Sequence, residues 1–148
     1  MRKAYTKAGD QGWTRDLSGR RLAKDHVSIV IGGKIDSLQS AIDLALLGAR
    51  GRVKTMLEEV RKKLWQSVAE EDLRALEGVT DSLGEPPKKF IRFNTLKAIQ
   101  YNECRIRCRE LETLMAGPLR KKKLRPIVFR YINRLSSLFF MLAYKETK

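Results

Sequence analysis

Residues that bind structural metals or form disulfides are scarce in this sequence. Its 148 residues include one histidine, His26, and two cysteines, Cys104 and Cys108. A four-ligand Cys/His zinc site therefore cannot be assembled, and a disulfide framework is excluded. The two cysteines are four residues apart, on one face of a helix-like segment. Two buried thiols on a core stripe suit a reducing compartment, so we expect a cytoplasmic protein.

Long hydrophobic runs are also missing. The longest runs, residues 27–31 and 138–143, fall far short of the roughly 20 residues that a membrane-spanning helix needs. Residues 1–10 contain no apolar stretch, which predicts that there is no signal peptide. With four prolines and ten glycines, the composition excludes a collagen-like or low-complexity chain. We expect a single domain over residues 1–148, without a membrane partner.

Acidic residues are outnumbered: 17 Asp+Glu against 31 Lys+Arg give a net charge of +14. This excess indicates an anionic partner, either nucleic acid, nucleotide phosphates or acidic lipid. The densest basic run, residues 120–125 (R-K-K-K-L-R), contains no aromatic residue for base stacking and accompanies no nucleic-acid-binding signature. It is typical of a solvated connector, and sequence-independent binding to nucleic acid remains the less favoured alternative.

Apolar residues at helical spacing predict the fold class. The connections between the apolar stretches are short, which indicates an all-α, up-and-down bundle over residues 33–148. Residues 1–26 have no such pattern and are predicted to form an irregular N-terminal arm. Apart from a brief β-branched run at residues 27–31, we expect no convincing strand, and we expect the fourth helix to end at Gly117-Pro118. The five helical stripes lie at residues 35–46, 53–68, 73–79, 101–115 and 128–142.

Two groups of residues could bind phosphate. Residues 5–14 read Y-T-K-A-G-D-Q-G-W-T, in which glycines let backbone N–H groups approach an anion and Lys and Thr add donors. Taken alone, this segment is more typical of a flexible arm, and its spacing is not that of a Walker A loop. Arg105, Arg109 and Glu112 share one helix face at spacings of four and three. By spacing alone, a solvated charge ladder is the commoner interpretation of that trio.

Five blocks, in this order, resemble the motifs of one family, the corrinoid adenosyltransferases of the propanediol-utilisation type. These enzymes make adenosylcobalamin from ATP and cob(I)alamin. The resemblance covers nearly the whole chain, and the first and last blocks are the most specific. The blocks are residues 5–14 (Y-T-[KR]-x-G-D-x-G-x-[ST]), 19–25 (G-x-R-x-x-K-D), 33–40 (similar to G-x-x-D-E-L-N-S), 105–112 (similar to R-x-x-C-R-R-x-E) and 131–137 (similar to Y-L-N-R-L-S-D).

The resemblance implies a five-helix bundle that transfers the 5′-deoxyadenosyl group of ATP to cob(I)alamin and releases triphosphate. It implies ATP, Mg²⁺ and cobalamin (as a substrate), and a homotrimer with ATP bound between adjacent subunits. The N-terminal arm would wrap the triphosphate, and the bundle would complete the nucleotide site. By this resemblance the phosphate contacts are Thr6, Lys7, Gly9, Thr14 and Lys24, and the bundle residues are Arg109, Glu112 and Asn133.

On the corrin side, the resemblance matches Phe90 to a phenylalanine of the apolar wall that removes the lower axial ligand of cobalt. It matches Asp36 and Arg105 to a pair that the family joins by a salt bridge beneath the corrin. The implied catalytic residues are therefore Asp36, Arg105 and Arg109. The identity of the metal ligands is not implied.

The sequence departs from the family pattern mainly on the corrin side. Residues 91–95 (I-R-F-N-T) replace a Gly-rich loop of roughly L-P-G-G-S. The altered loop leaves open a non-catalytic ATP-binding paralogue with a sensory or regulatory role. The net charge of +14 and the basic run at residues 120–125 leave open a basic nucleic-acid-binding bundle. At other motif positions Ser37 replaces Glu, Gln39 replaces Asn, Glu110 replaces the second Arg, and Ser137 replaces Asp.

Overall fold

A computed structural model describes residues 1–147 and contains, over those residues, five α-helices and one small antiparallel sheet. The all-α bundle expected from the apolar stripes is thus confirmed. No helix in this part of the chain combines the length and apolarity of a membrane-spanning segment. The elements are β1 (Trp13–Arg15), β2 (Arg21–Ala23), α1 (Val27–Leu46), α2 (Gly51–Lys63), α3 (Glu70–Ser82), α4 (Leu96–Arg120) and α5 (Pro126–Lys145).

The central helix of the bundle is α4, which packs against α1 on one side and α5 on the other. Helix α2 packs on α1, and α3 packs on α5. Lys63 at the end of α2 forms a salt bridge with Asp72 of α3 at 3.2 Å, so α2 also approaches α3. The core is formed by fully buried side chains such as Leu38, Leu111 and Phe139. Cys104 and Cys108 lie in the same core. Burial raises the pKa of Cys104 to about 12 and also raises that of Cys108, so both thiols are neutral packing groups.

Two helix ends differ from the sequence expectation. Helix α1 already begins at Val27, because the His26 ring accepts a hydrogen bond from the Ser28 N–H at 3.2 Å and caps the first turn. The β-branched residues that follow are therefore helical. Helix α4 continues through Gly117-Pro118 to Arg120. A proline this close to a helix end removes one hydrogen bond, and the helix ends where Lys122 adopts a φ of 54°.

The N-terminal arm is more ordered than the sequence indicated. Residues 13–15 pair with residues 21–23 in an antiparallel hairpin, with Thr14 opposite Leu22. Asp16 Oδ1 closes the turn by accepting hydrogen bonds from the N–H groups of Ser18 at 3.0 Å and Arg20 at 2.9 Å. The Ser18 hydroxyl bond is the largest cause of a lowered Asp16 pKa. The strands have only three residues each, too few for a recognisable alternating pattern.

Candidate functional site

The arm encloses a cleft of about 550 Å³, which we call the arm cleft. Three of the five expected phosphate contacts, Thr6, Gly9 and Thr14, line it. The loop that carries them folds through two turns, in which the Asp10 N–H donates to Lys7 O at 3.2 Å and the Gly12 N–H donates to Gly9 O at 3.1 Å. The residues of this loop are mostly exposed, as a loop that binds an anion requires.

Lys24 lies over the same loop. Its backbone N–H donates to Gly12 O at 2.9 Å, which ties the end of the hairpin to the loop. Its ammonium group lies so close to Gly9 that a Cβ on that residue would be 2.7 Å from Nζ. Gly9 is therefore needed for Lys24 to cross the loop. Lys7 is exposed and adopts a φ of 62°, and it does not line the arm cleft.

A cation–π contact that sequence reasoning missed stiffens the hairpin. The Arg21 guanidinium lies 4.2 Å from the centroid of the Trp13 ring, and both residues line the arm cleft. Trp13 occupies a variable position of the first motif, so no sequence signal distinguished it. Strand pairing places its partner Ala23 opposite, and Arg21 two residues earlier on the same face.

A second cleft of about 500 Å³ opens between α3, α4 and α5, and we call it the arginine cleft. Arg105 and Arg109 both line it, one turn apart on α4. Partial burial, and then the neighbouring Arg109 charge, lower the pKa of Arg105. Within residues 1–147 neither arginine forms a salt bridge, so the trio with Glu112 is not a charge ladder.

Glu112 and Asn133 lie next to Arg109. Burial is the largest influence on the Glu112 carboxyl and raises its pKa, while the Arg109 charge and a hydrogen-bonding contact with Asn133 oppose that shift. Asn133 is exposed, and its Oδ1 accepts a hydrogen bond from Arg134 at 3.1 Å. Helices α4 and α5 thus bring together the three bundle residues that the resemblance implies for the nucleotide.

A third cleft, of about 460 Å³, lies between the 83–95 connection and the ends of α4 and α5, and we call it the aromatic cleft. Phe93 packs edge to face on Phe140, with ring centroids 6.2 Å apart. The Arg105 guanidinium lies 5.6 Å from the Phe140 ring and donates to Asn102 Oδ1 at 3.2 Å. Phe90 also lines the cleft and is 100% exposed. Arg105 and Phe140 line both this cleft and the arginine cleft, so the two share a wall.

Asp36 lines none of the three clefts. It is exposed on α1, and within residues 1–147 it forms no ion pair. The salt bridge to Arg105 that the resemblance implies is therefore not formed inside one chain. The reason is geometric: Arg105 faces Phe140 of α5, whereas Asp36 lies on the helix that packs against the other side of α4.

Glu110, which reverses a charge in the fourth motif, faces away from the arginine cleft. Its Oε2 accepts from Lys34 Nζ of α1 at 2.9 Å, and its Oε1 lies 3.5 Å from Arg107 Nη1. The Lys34 hydrogen bond is the largest cause of its lowered pKa. The substitution therefore adds a contact between α1 and α4 and leaves Arg109 unpaired.

The arm and the bundle residues are separate within one chain. No hydrogen bond or ion pair in residues 1–147 joins the arm to Arg109, Glu112 or Asn133. One chain therefore contains both expected parts of a nucleotide site, the arm and the bundle residues, but does not join them by these contacts.

Comparisons with known proteins agree over nearly the whole chain. A family model described as cobalamin adenosyltransferase matches residues 4–146. A corrinoid adenosyltransferase of Citrobacter freundii is 30% identical over 168 residues, which cover 99% of this chain and 96% of that protein. The corrinoid adenosyltransferase PduO of Salmonella typhimurium is 29% identical, and the match covers 96% of this chain but 49% of that protein. The chain thus spans about half the length of that PduO relative.

The fold is shared with solved structures. One is a variant PduO-type ATP:corrinoid adenosyltransferase from Lactobacillus reuteri complexed with cobalamin and ATP. It superimposes with a TM-score of 0.85 at 25% identity, covering 97% of this chain and 93% of that chain. Another variant of that type from the same organism, complexed with ATP, has a TM-score of 0.84 at 26% identity and covers 96% and 93% of the two chains.

Proposed function

The chain belongs to the cobalamin adenosyltransferase family, and we propose that it is an ATP:cob(I)alamin adenosyltransferase. An electron pair on the cobalt of cob(I)alamin attacks C5′ of ATP, the C5′–O bond breaks, and triphosphate leaves. The observation that carries the proposal is the wall of Arg105 and Phe140 shared by the arginine and aromatic clefts. A cleft lined by two arginines and a cleft lined by aromatic side chains, meeting at Arg105, suit a reaction between two bound substrates.

The cationic side chains would stabilise charge that develops on the leaving triphosphate. Arg109 would contact phosphate oxygens from the bundle, and Lys7 and Lys24 would contact them from the arm together with Thr6 and Thr14. Glu112, held beside Arg109 and Asn133, would orient the guanidinium and the nucleoside. Because Arg109 forms no salt bridge within residues 1–147, its N–H groups are available to a ligand.

Phe90 would contribute to the apolar wall against the lower face of the corrin. Its side chain is 100% exposed, so it can contact a ligand without any rearrangement of the core. Displacing the lower axial ligand with an apolar surface makes the cobalt easier to reduce, and this is the role that the motif resemblance implies for Phe90.

We propose a homotrimer in which the arm of one subunit completes the bundle site of its neighbour. Two observations within residues 1–147 support an intersubunit site: the arm makes no hydrogen bond with Arg109, Glu112 or Asn133, and the exposed Asp36 forms no ion pair. Co-expressed Lys24→Ala and Arg109→Ala chains should regain part of the activity that each lacks alone. No recovery in verified mixed oligomers would indicate that each site is built from one chain.

Mg²⁺ would enter with ATP and would not be held by a protein cage. Residues 1–147 contain no group of three or more His, Cys, Asp or Glu side chains placed to hold an ion. The triphosphate oxygens and water would therefore supply most ligands, as is usual for Mg²⁺ bound with nucleotides. When bound, the ion would neutralise part of the phosphate charge.

The proposed setting is the cytoplasm. Cys104 and Cys108 are free and buried, as expected of a chain that folds in a reducing compartment.

The test is to mix the protein with chemically reduced cob(I)alamin and Mg-ATP without oxygen, and to follow the visible spectrum for adenosylcobalamin. We expect product formation well above the rate without protein. Arg109→Ala should weaken ATP binding roughly tenfold or more, because a charge-assisted phosphate contact is lost. Arg74→Ala is the matched control, since Arg74 is exposed on α3 and lines none of the three clefts.

Other outcomes would favour the alternatives. ATP binding without corrinoid product would favour the non-catalytic paralogue. Binding to duplex DNA that falls steeply with salt, and that ATP does not displace, would favour the nucleic-acid interpretation of residues 120–125. Unchanged ATP affinity in Arg109→Ala would remove that residue from the site.

A further inference from the structure

We propose that Lys89 and Arg92, at the rim of the aromatic cleft, bind the phosphodiester of a corrinoid's nucleotide tail. The chain would then prefer corrinoids that carry this phosphate over corrinoids that lack it. This inference rests on the proposed function and specifies the substrate class within it.

The charge distribution of the aromatic cleft is one-sided. Lys89, Arg92 and Arg105 line it, and none of its lining residues is acidic. Arg105 already donates a hydrogen bond to Asn102 and makes a cation–π contact with the Phe140 ring. Lys89 and Arg92 are exposed and form no ion pair or hydrogen bond within residues 1–147. Two cations without a salt bridge, next to the phenylalanine side chains of the cleft, suit a ligand that has a large apolar body and an anionic group at its periphery.

A corrinoid with a nucleotide tail has this chemistry. The side chains around the corrin ring are neutral amides, and the phosphodiester is the fixed negative charge of the periphery. Once the lower ligand leaves the cobalt, the tail extends away from the ring, towards the rim of whichever cleft holds the ring. The planar guanidinium of Arg92 can bind two phosphate oxygens at once, and the Lys89 ammonium adds a point charge.

The position of Arg92 makes the feature specific to this chain. It lies in residues 91–95, where I-R-F-N-T replaces a Gly-rich loop of the family. The middle and the end of this segment are held in place, because Phe93 packs on Phe140 with ring centroids 6.2 Å apart and Thr95 Oγ1 donates to Glu146 O at 2.7 Å. The structure thus holds a cation where the family pattern has an uncharged loop.

The phosphates of ATP are a second possible source of the same anion, so the experiment must separate the two. Dissociation constants would be measured anaerobically, at saturating Mg-ATP, for cob(II)alamin, cob(II)inamide phosphate and cob(II)inamide, which lacks the phosphate. The ATP constant would be measured separately. The test protein is the Lys89→Gln/Arg92→Gln double variant. The control, Lys121→Gln/Lys123→Gln, removes the same charge at exposed positions beyond the other end of α4.

We expect the double variant to bind cob(II)alamin and cob(II)inamide phosphate roughly three- to tenfold more weakly, the range for two exposed charge pairs. Its affinities for cob(II)inamide and for ATP should be unchanged, and the control should match the wild type throughout. An equal loss for all three corrinoids, a loss confined to ATP, or no loss would each overturn the proposal. If the wild type adenosylates cob(I)inamide, the proposed function stands whichever of these results is found. If it binds no corrinoid, both proposals fail.

Discussion

The substitution Gly9→Ala tests the arm with a single methyl group. In the structure, a Cβ at this position would lie 2.7 Å from Lys24 Nζ, 3.0 Å from Lys24 Cε and 3.5 Å from Trp13 O. The first two distances are too short for ordinary contact, whereas the third is normal. The backbone does not resist the change, because the φ of Gly9 is not positive. The methyl group should therefore displace the end of the Lys24 side chain and leave the loop in place.

The expected effects on stability and on ATP affinity differ in size. The free energy of unfolding should change by less than about 1 kcal/mol, since alanine restricts the unfolded chain and the displaced lysine is flexible. The affinity for Mg-ATP should fall by about tenfold, or about 1.4 kcal/mol, if Lys24 contacts phosphate as proposed. Gly12→Ala provides a contrast, because Gly12 has a φ of +82° and an added Cβ would meet no atom of the described residues within 4 Å beyond its chain neighbours. Its cost should be backbone strain of about 1–2 kcal/mol.

A double-mutant cycle identifies the cause. Mg-ATP affinity would be measured by calorimetry for the wild type, Gly9→Ala, Lys24→Ala and the double variant, with thermal unfolding as the stability control. If the methyl group acts through the ammonium, Gly9→Ala should have almost no effect on ATP once Lys24 is alanine. Additive losses in the double variant would refute the reasoning, because the glycine would then act on ATP directly.

Three further predictions concern the corrin side and the core. Phe90→Ala should slow adenosyl transfer while leaving ATP affinity and the melting temperature unchanged, because the side chain is 100% exposed; unchanged transfer would show that Phe90 does not contact the corrin. The thiols of Cys104 and Cys108 should react with Ellman's reagent at pH 8 only after unfolding, since both are buried and the Cys104 pKa is raised to about 12; rapid reaction of the native protein would contradict this burial. Phe139→Ala should lower the free energy of unfolding by about 3–5 kcal/mol in chemical denaturation, because Phe139 is 0% exposed among core helices. A loss below about 1 kcal/mol would show that the site collapses around the deletion.

The helical part of the fold was predictable because its apolar periodicity is strong. Each stripe overlaps one helix, and the buried residues of α5 repeat at the spacing that the sequence displayed. The helix ends were less predictable. A capping histidine starts α1 before the stripe begins, and a proline near the end of α4 costs too little to stop the helix. The hairpin of the arm depends on Asp16 and its turn contacts, which no hydrophobic pattern reports.

Parts of the candidate site were predictable only through family resemblance. The motif placed Thr6, Gly9 and Thr14 in one segment, and the structure gathers them around the arm cleft. The contact between Arg21 and Trp13 could not be foreseen, because it depends on strand register and not on spacing along the chain. The sequence also could not show that Asp36 and Arg105 do not form a salt bridge within one chain, since this depends on which sides of α4 the neighbouring helices occupy.

Helix α4 explains why spacing alone could not separate a site from a charge ladder. Three stripes on this helix have the same four-and-three spacing, at residues 103/107/110, 104/108/111 and 105/109/112. They differ by one residue in register, so each is rotated by about 100° from the one before it. The first stripe is the ladder, in which Arg107 bonds Glu103 at 3.6 Å and Glu110 at 3.5 Å. The second is buried in the core. In the third, Arg105 and Arg109 line the arginine cleft, and no member forms an ion pair within residues 1–147. Neighbouring helices decide these roles: α1 supplies Lys34 to the ladder, whereas the third stripe borders a cleft that a ligand could fill. A charge can therefore reverse in the first stripe without altering the third, and this is why the departure at position 110 is compatible with nucleotide binding.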